Sequence, residues 1–264
     1  VGKQTSISWC DSTFNPWIGC TKVSPGCAHC YAERESKRWG KNLWGPRADR
    51  QITSDPYWRQ PLKWDEGAAA SGKPWRVFCG SFCDVFEDHY QIIGSGARTR
   101  LFKLIEDTPH LTWLLLTKRP ENIAGAIPKR WAMGLPENVW IGVSAEDQQR
   151  YMERVQILVR IPARVRFISA EPLLGPINLG LPGTANAALG IGYQPYYRLL
   201  HWVIVGGESG PGHRAMNIEW ARDLLRQCRE AEVSFFFKQI GGWPHKRHDP
   251  SQWPEDLRVQ EFPG

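Results

Sequence analysis

Six short apolar runs, at 77–79, 111–116, 139–143, 165–168, 202–205 and 234–237, recur along the sequence with helical patterns between them. Each run is nearly continuous in apolar side chains rather than alternating with polar ones, so both of its faces must be buried, as in a parallel sheet covered by helices. A shorter strand is expected just before Cys20. Between the runs, Ile93, Ala97, Leu101, Leu104 and Ile105 fall on one helical face, as do Tyr151, Val155 and Leu158, and again Ala221, Leu224, Leu225 and Cys228. The chain of 264 residues therefore reads as a repeating β-α architecture of the α/β class.

Polar groups follow the runs directly. Ser81 and Asp84 come after the first, Thr117-Lys118-Arg119 after the second, then Ser144 and Glu146, Ser169 and Glu171, Gly206-Gly207-Glu208-Ser209, and Lys238-Gln239. In a (β/α) barrel such positions converge on one mouth, whereas a doubly wound open sheet concentrates them at one switch point. Six polar strand ends predict a partial TIM-like barrel forming a single domain over 1–264. A purely structural role is also open: Ser144 with Asp147 has the pattern of a capping box and Asn217 that of an N-cap. Gly206 and Gly207 either let backbone approach a ligand or simply turn the chain. Glycine spacing there is not that of a phosphate-binding loop.

Cys20, Cys27 and Cys30 lie in the stretch GCTKVSPGCAHCYAE, with Pro25 and Gly26 suited to the tight reversal between them. Closed structural zinc sites take four protein ligands, whereas an iron-sulfur cluster on three cysteines leaves one iron open. Zinc is the alternative where His29, Cys10 or Cys83 supplies a fourth ligand. The seven cysteines are an odd number, and no secretory leader is evident at the start of the sequence; a reducing, cytoplasmic setting is expected rather than a disulfide framework. Cys228 reads as a small core residue.

Lysine and arginine number 33 against 27 acidic residues, and 14 tryptophans are present. Several of these sit among cations in a basic, Trp-rich insertion at about 34–75: Arg38, Lys41, Trp44, Arg47 and Trp58. Aromatic faces interleaved with cations stack exposed bases and hold phosphates, so nucleic acid is the expected partner through this surface. The competing expectation is that the tryptophans form a hydrophobic lid over the core. No apolar run reaches membrane-spanning length, so no membrane association is expected.

Cys20, Cys27 and Cys30 after the first short strand, followed by Tyr31, resemble the cluster loop of the radical S-adenosylmethionine enzymes, which are partial TIM barrels. Here six residues rather than three separate the first two cysteines, and His29 stands where an aromatic residue usually precedes the third. The segments FNPWIGCTKVSPGCAHCYAE, FCGSFCDVFE, LLLTKRPENI, IGVSAEDQ, FISAEPLLGPI, VIVGGESGPGHRAMN and FFFKQIGGW resemble a family of small three-cysteine proteins of bacteriophages and bacterial genomes. Within the radical enzymes, the Cys-x2-Cys-Tyr ending and the Ser/Asp pair after the second strand look most like the spore photoproduct lyase branch.

The resemblance implies a four-iron, four-sulfur cluster on Cys20, Cys27 and Cys30 in an N-terminal loop. It implies S-adenosylmethionine at the open iron and a reducing electron donor, in the cytoplasm of a bacterium or a phage-infected host. For such a site Ser81, Asp84, Ser144, Glu146, Gly206, Gly207 and Glu208 are the candidate cofactor-binding residues, and Lys118, Glu171 and Lys238 the candidate catalytic ones. The expected activity is base modification or repair on nucleic acid; a noncatalytic iron-sulfur regulatory or nucleic-acid-binding protein, and a zinc protein, are the alternatives.

Overall fold

The computed structural model describes residues 5–181 and 196–264. The fold is mixed α/β. Seven strands, β1 (Ser12–Phe14), β4 (Trp75–Cys79), β5 (Leu111–Thr117), β6 (Val139–Ser144), β7 (Val165–Ala170), β8 (Trp202–Gly206) and β9 (Ser234–Gln239), hydrogen-bond in their order along the chain. The neighbours β1 and β4, β4 and β5, β7 and β8, and β8 and β9 pair in parallel. Sequence-ordered parallel strands joined by helices have the connectivity of a (β/α) barrel, and β1 and β9 stand at the two ends of this order. The six apolar runs all became strands, most one or two residues longer at their C-terminal ends than the apolar run itself, because backbone pairing continues into the polar residues.

The chain divides into two compact units, Val1–Ile141 with Ile161–Arg164, and Gly142–Arg160 with Val165–Gly264. In the first, a small antiparallel ribbon joins β2 (Trp17–Ile18) to β3 (Gln51–Ile52). This ribbon ties together the two ends of an excursion that carries the cysteine loop and helix α1 (Tyr31–Arg38). Helices α2 (Asp55–Trp58) and α3 (Gln60–Ser71) lead back to β4. The core of this unit includes Phe14, Val77, Trp113, Leu114, Leu101 and Ile105, all fully buried.

The single helical face expected across residues 93–105 is broken. Gly96 takes φ +67 and separates α4 (Tyr90–Ser95) from α5 (Ala97–Glu106), leaving Ile93 61% exposed while Leu101 and Ile105 stay buried. A left-handed glycine ends a helix more cheaply than any other residue, which periodicity alone does not register. The short helix α6 (Ile123–Ala126) follows β5.

In the second unit α7 (Gln148–Leu158) buries Tyr151, Val155 and Leu158, and α8 (Ile218–Glu230) buries Ala221, Leu224 and Cys228. Asn217 caps α8, accepting from the backbone N–H of Glu219 at 3.0 Å. The cap of α7 is Asp147, which accepts from Arg150 N at 2.8 Å, whereas Ser144 is the last residue of β6. The outer edge of β9 is covered by the C-terminal segment: Phe237 N donates to Val259 O at 2.8 Å and Glu261 N to Phe235 O at 2.9 Å. Such cover removes an edge that would otherwise recruit another chain.

Candidate functional site

The cysteine loop starts at a forced close approach. Gly19 has φ +122, and a Cβ there would lie 2.6 Å from Leu43 O and 2.9 Å from Arg50 Cδ. Only glycine lets the chain pass, and it puts Cys20 against the returning strand-like segment: Cys20 N donates to Leu43 O at 3.3 Å and Gly45 N to Cys20 O at 3.0 Å. Cys27 sits at the end of a one-turn helix, Pro25–Cys27, and Cys30 is the residue preceding the first turn of α1. All three thiols are free and half-buried.

Two buried arginines clamp this loop. Arg50, with no exposed side-chain surface, forms a fork to Glu87, Nε to Oε2 and Nη2 to Oε1 both at 2.8 Å. It also donates to Ala48 O at 2.6 Å and Thr21 Oγ1 at 2.9 Å. Arg119, on the turn after β5, donates from Nη1 to Asp84 at 2.9 Å and from Nη2 to Thr21 O at 2.6 Å. Its Nη1 also lies 3.7 Å from Cys20 Sγ. Bidentate arginine-carboxylate contacts of this kind are the strong, directional class of ion pair.

Burial and then the carboxylate of Asp84 push the Cys20 thiol up to about 12, against the opposing charge of Arg119. At Cys27 burial also opposes ionisation, but the charge of Lys118 and hydrogen bonds around Val23 and Ser24 outweigh it and hold this thiol below its usual value. Ser24 Oγ lies 3.8 Å from Cys27 Sγ. The chain thus sets a cation toward each of these sulfurs. One turn beyond Cys30, Arg34 N donates to Cys30 O at 3.2 Å, and the Nε of Arg34 is buried without a hydrogen-bond partner. An orphaned donor of that kind is costly and rare in folded proteins.

Among the described residues no three His, Cys, Asp or Glu side chains are gathered as a metal site, so the fit of a cluster rests on the donor set itself. Three thiols on one loop, with Arg119 at Cys20 and the charge of Lys118 acting on Cys27, are a donor set that an anionic iron-sulfur group would fit. Cys83 packs among Trp17, Ile92 and Ala97, and burial raises its thiol well above the usual value. Cys79 and Cys228 are wholly buried and pushed up in the same way.

The other expected site residues of this unit have partners within the chain. Ser81 Oγ accepts from Asn15 Nδ2 at 3.0 Å, and Ser81 O accepts from the Tyr31 hydroxyl at 2.7 Å. Asp84 accepts four donors: Phe86 N at 3.0 Å, Thr117 Oγ1 at 2.7 Å, Lys118 N at 3.0 Å and Arg119 Nη1 at 2.9 Å. Its carboxylate is filled by the protein and organises the turn after β5. Asn15, Arg50, Glu87 and Arg34 were not legible as site residues. Glu87 carried a faint signal, lying one helical turn after Asp84 in SFCDVFE.

In the second unit the strand ends carry three ion pairs. Glu146, fully buried, pairs with Arg154 at 2.7 Å, and Arg154 also donates to Ser144 O at 2.8 Å. Glu208 receives the Arg214 backbone N–H at 2.8 Å and its guanidinium at 2.5 Å. Glu171 accepts from Ser169 Oγ at 3.2 Å and meets Lys238 at 2.9 Å. The glycines serve this packing: a Cβ at Gly206 would lie 2.5 Å from Glu171 Oε1, and one at Gly207 only 1.9 Å from Ile240 O. Their close approach is to the chain's own carboxylate and backbone.

In the Trp-rich insertion, Trp58 is 3% exposed, with Phe14 edge-on at 5.2 Å and the Arg100 guanidinium 4.4 Å over its ring. It packs the core. Trp44 is half-buried beside Cys20, while Arg38 and Arg47 are exposed. Among the described residues no helix is long and apolar enough to cross a membrane.

Residues 4–259 match the family described as "Protein of unknown function (DUF5131)". The chain belongs to this family. No curated protein and no solved structure matches it.

Proposed function

We propose that this DUF5131 member is an iron-sulfur protein that holds a four-iron, four-sulfur cluster on Cys20, Cys27 and Cys30. We propose further that it is a radical S-adenosylmethionine enzyme modifying or repairing nucleic acid, akin to the phage-associated three-cysteine proteins it resembles. The observation that carries the cluster reading is the placing of cations at a three-thiol loop: Arg119 at Cys20, Lys118 at Cys27 and the orphaned Arg34 Nε one turn from Cys30. When bound, a cluster on three thiolates supplies a one-electron donor with one iron open to a small ligand. The protein's own part is to fix the loop through Arg50 and Arg119, to offset negative charge at the sulfurs, and to present Lys118, Glu171 and Lys238 as polar groups at strand ends.

A second reading, a noncatalytic cluster protein that binds nucleic acid, draws support from the carboxylates. Asp84, Glu146 and Glu208 are all engaged by arginines of the chain, which leaves them positioning roles rather than ligand contacts. Anaerobic reconstitution tests the shared claim: wild-type protein should be brown and bind about four irons, and a serine at Cys20, Cys27 or Cys30 should lose them. Zinc without iron after anaerobic preparation would sink both readings. Release of 5'-deoxyadenosine from S-adenosylmethionine under dithionite selects the enzyme; an iron protein whose paramagnetic spectrum ignores that compound selects the binding protein.

A further inference from the structure

An aromatic stack stands directly on the cysteine loop. Helix α1 ends where Gly40 takes φ +71, and the Trp39 backbone N–H, still bonded to Glu35 O at 3.1 Å, fixes the side chain at the helix end. One face of Trp39 lies on Phe82, ring centroids 5.2 Å apart and 25° from parallel. Phe82 is itself anchored, its N–H donating to Asn15 Oδ1 at 2.7 Å and its carbonyl accepting from Gly19 N at 3.0 Å. Tyr31, the residue after Cys30, also meets Phe82, edge-on at 5.9 Å, with its hydroxyl tied to Ser81 O.

Trp39 nonetheless keeps 51% of its surface exposed, and Tyr31 42%. A large planar side chain, backed and immobilised yet open on its outer face, is a stacking platform with little ordering entropy left to lose. Its surroundings favour an anion. Lys37 and Arg38 are 61% and 57% exposed, and each pairs with a carboxylate of its own helix, Glu33 and Glu35, within-helix pairs of the kind that contribute little. Over residues 33–50 the six cations Arg34, Lys37, Arg38, Lys41, Arg47 and Arg50 outnumber the three carboxylates Glu33, Glu35 and Asp49.

From this geometry we infer that Trp39 stacks a base of a single-stranded nucleic acid beside the cysteine loop, with Lys37, Arg38 and Lys41 holding the adjacent phosphates. The inference rests on the nucleic-acid partner proposed above and moves its stacking contact from the buried Trp58 to Trp39. Sequence-tolerant stacking combined with backbone charge is the mode of single-strand binders.

The test is fluorescence anisotropy of a labelled single-stranded oligonucleotide, titrated with reconstituted protein across a salt series. Trp39→Ala should weaken binding about tenfold, the scale of one lost base stack. Trp39→Phe should retain most of the affinity, and Trp243→Ala, at a tryptophan of similar exposure in the second unit (50%), should change nothing. Lys37→Glu with Arg38→Glu should flatten the salt dependence. Wild-type protein that ignores the oligonucleotide at low salt, Trp39→Ala that binds like wild type, or a nucleoside monophosphate that binds as tightly as the polymer would each overturn the proposal. Iron content, measured on the same samples, reports on the cluster separately, so loss of one claim is not mistaken for loss of the other.

Discussion

Arg119 and Cys20 meet across 99 residues of sequence, Nη1 to Sγ at 3.7 Å, with the same nitrogen bonded to Asp84. The guanidinium therefore links the turn after β5 to the first cysteine and neutralises a pocket that also contains Glu87, 3.5 Å from its Nη2.

Removing that charge should unfold the pocket rather than merely loosen it. Arg119→Met leaves Asp84 and Glu87 buried with one guanidinium fewer between them, and stranding a buried carboxylate costs about 3–5 kcal/mol. Urea denaturation should register this loss, and Asp84→Asn combined with Arg119→Met should recover part of it. A midpoint unchanged in Arg119→Met would mean that the pocket admits water enough to replace the arginine.

Arg34 gives a readout specific to the proposed cluster. If its orphaned Nε donates to the cluster or to a ligand on it, Arg34→Gln should lower the midpoint potential. The reduced, more negative state then loses a donor and a charge, and a tenfold loss of preference corresponds to about 59 mV for one electron. Arg34→Lys should restore part of the shift. A potential that moves in neither variant assigns the arginine to the packing of α1 alone.

Gly207 tests the meeting of β8 and β9. A Cβ at this residue would sit 1.9 Å from the Ile240 carbonyl oxygen, and backbone cannot rotate away as a side-chain end can. Gly207→Ala should cost at least about 1–3 kcal/mol, the range of overpacking changes, seen as a lower melting temperature. Gly134→Ala, where a Cβ meets nothing within 4 Å, is the control and should melt like wild type.

Acid should weaken the join between β7 and β8. His201 N donates to Arg166 O at 2.9 Å while Arg166 N donates to His201 Nδ1 at 3.1 Å. Burial, with the Arg166 charge, holds the imidazole below its ordinary value, so the unfolded chain takes up a proton first. The stabilisation is complete above the unfolded value of about 6.5 and is lost as pH falls through the lower folded value. The lost bond contributes about 1 kcal/mol. Thermal melts between neutral and mildly acidic pH should show this slope, and His201→Asn, whose amide oxygen accepts at any of these pH values, should reduce it.

The apolar runs and the polar residues that end them were legible because burial on both faces leaves a local signature: 202–205 and 165–168 read as strands without knowledge of their neighbours. The cysteine loop was legible for the same reason, being contiguous. Arg50 was not, since nothing near it in sequence distinguishes a side chain with no exposed surface from the exposed Arg47 three residues earlier; its carboxylate partner lies 37 residues away. Trp58 and Trp39 look alike as letters beside arginine, and only the packing of Phe14 and Arg100 against one and of Phe82 against the other tells them apart. Gly206 and Gly207 read from sequence either as a ligand approach or as a turn, and the close packing of Glu171 and Ile240 against them lies too far along the chain for either residue to signal it.

The long span between Cys20 and Arg119 also has a meaning in time. During synthesis at roughly 5–20 residues per second, the 99 residues that separate them occupy about 5–20 s. Through that interval the first thiol has left the ribosome without the guanidinium that will face it. Half-made chains therefore expose sulfur in a form open to oxidation, and if the proposed cluster is bound, its insertion gains by waiting until β5 and the turn after it have been made.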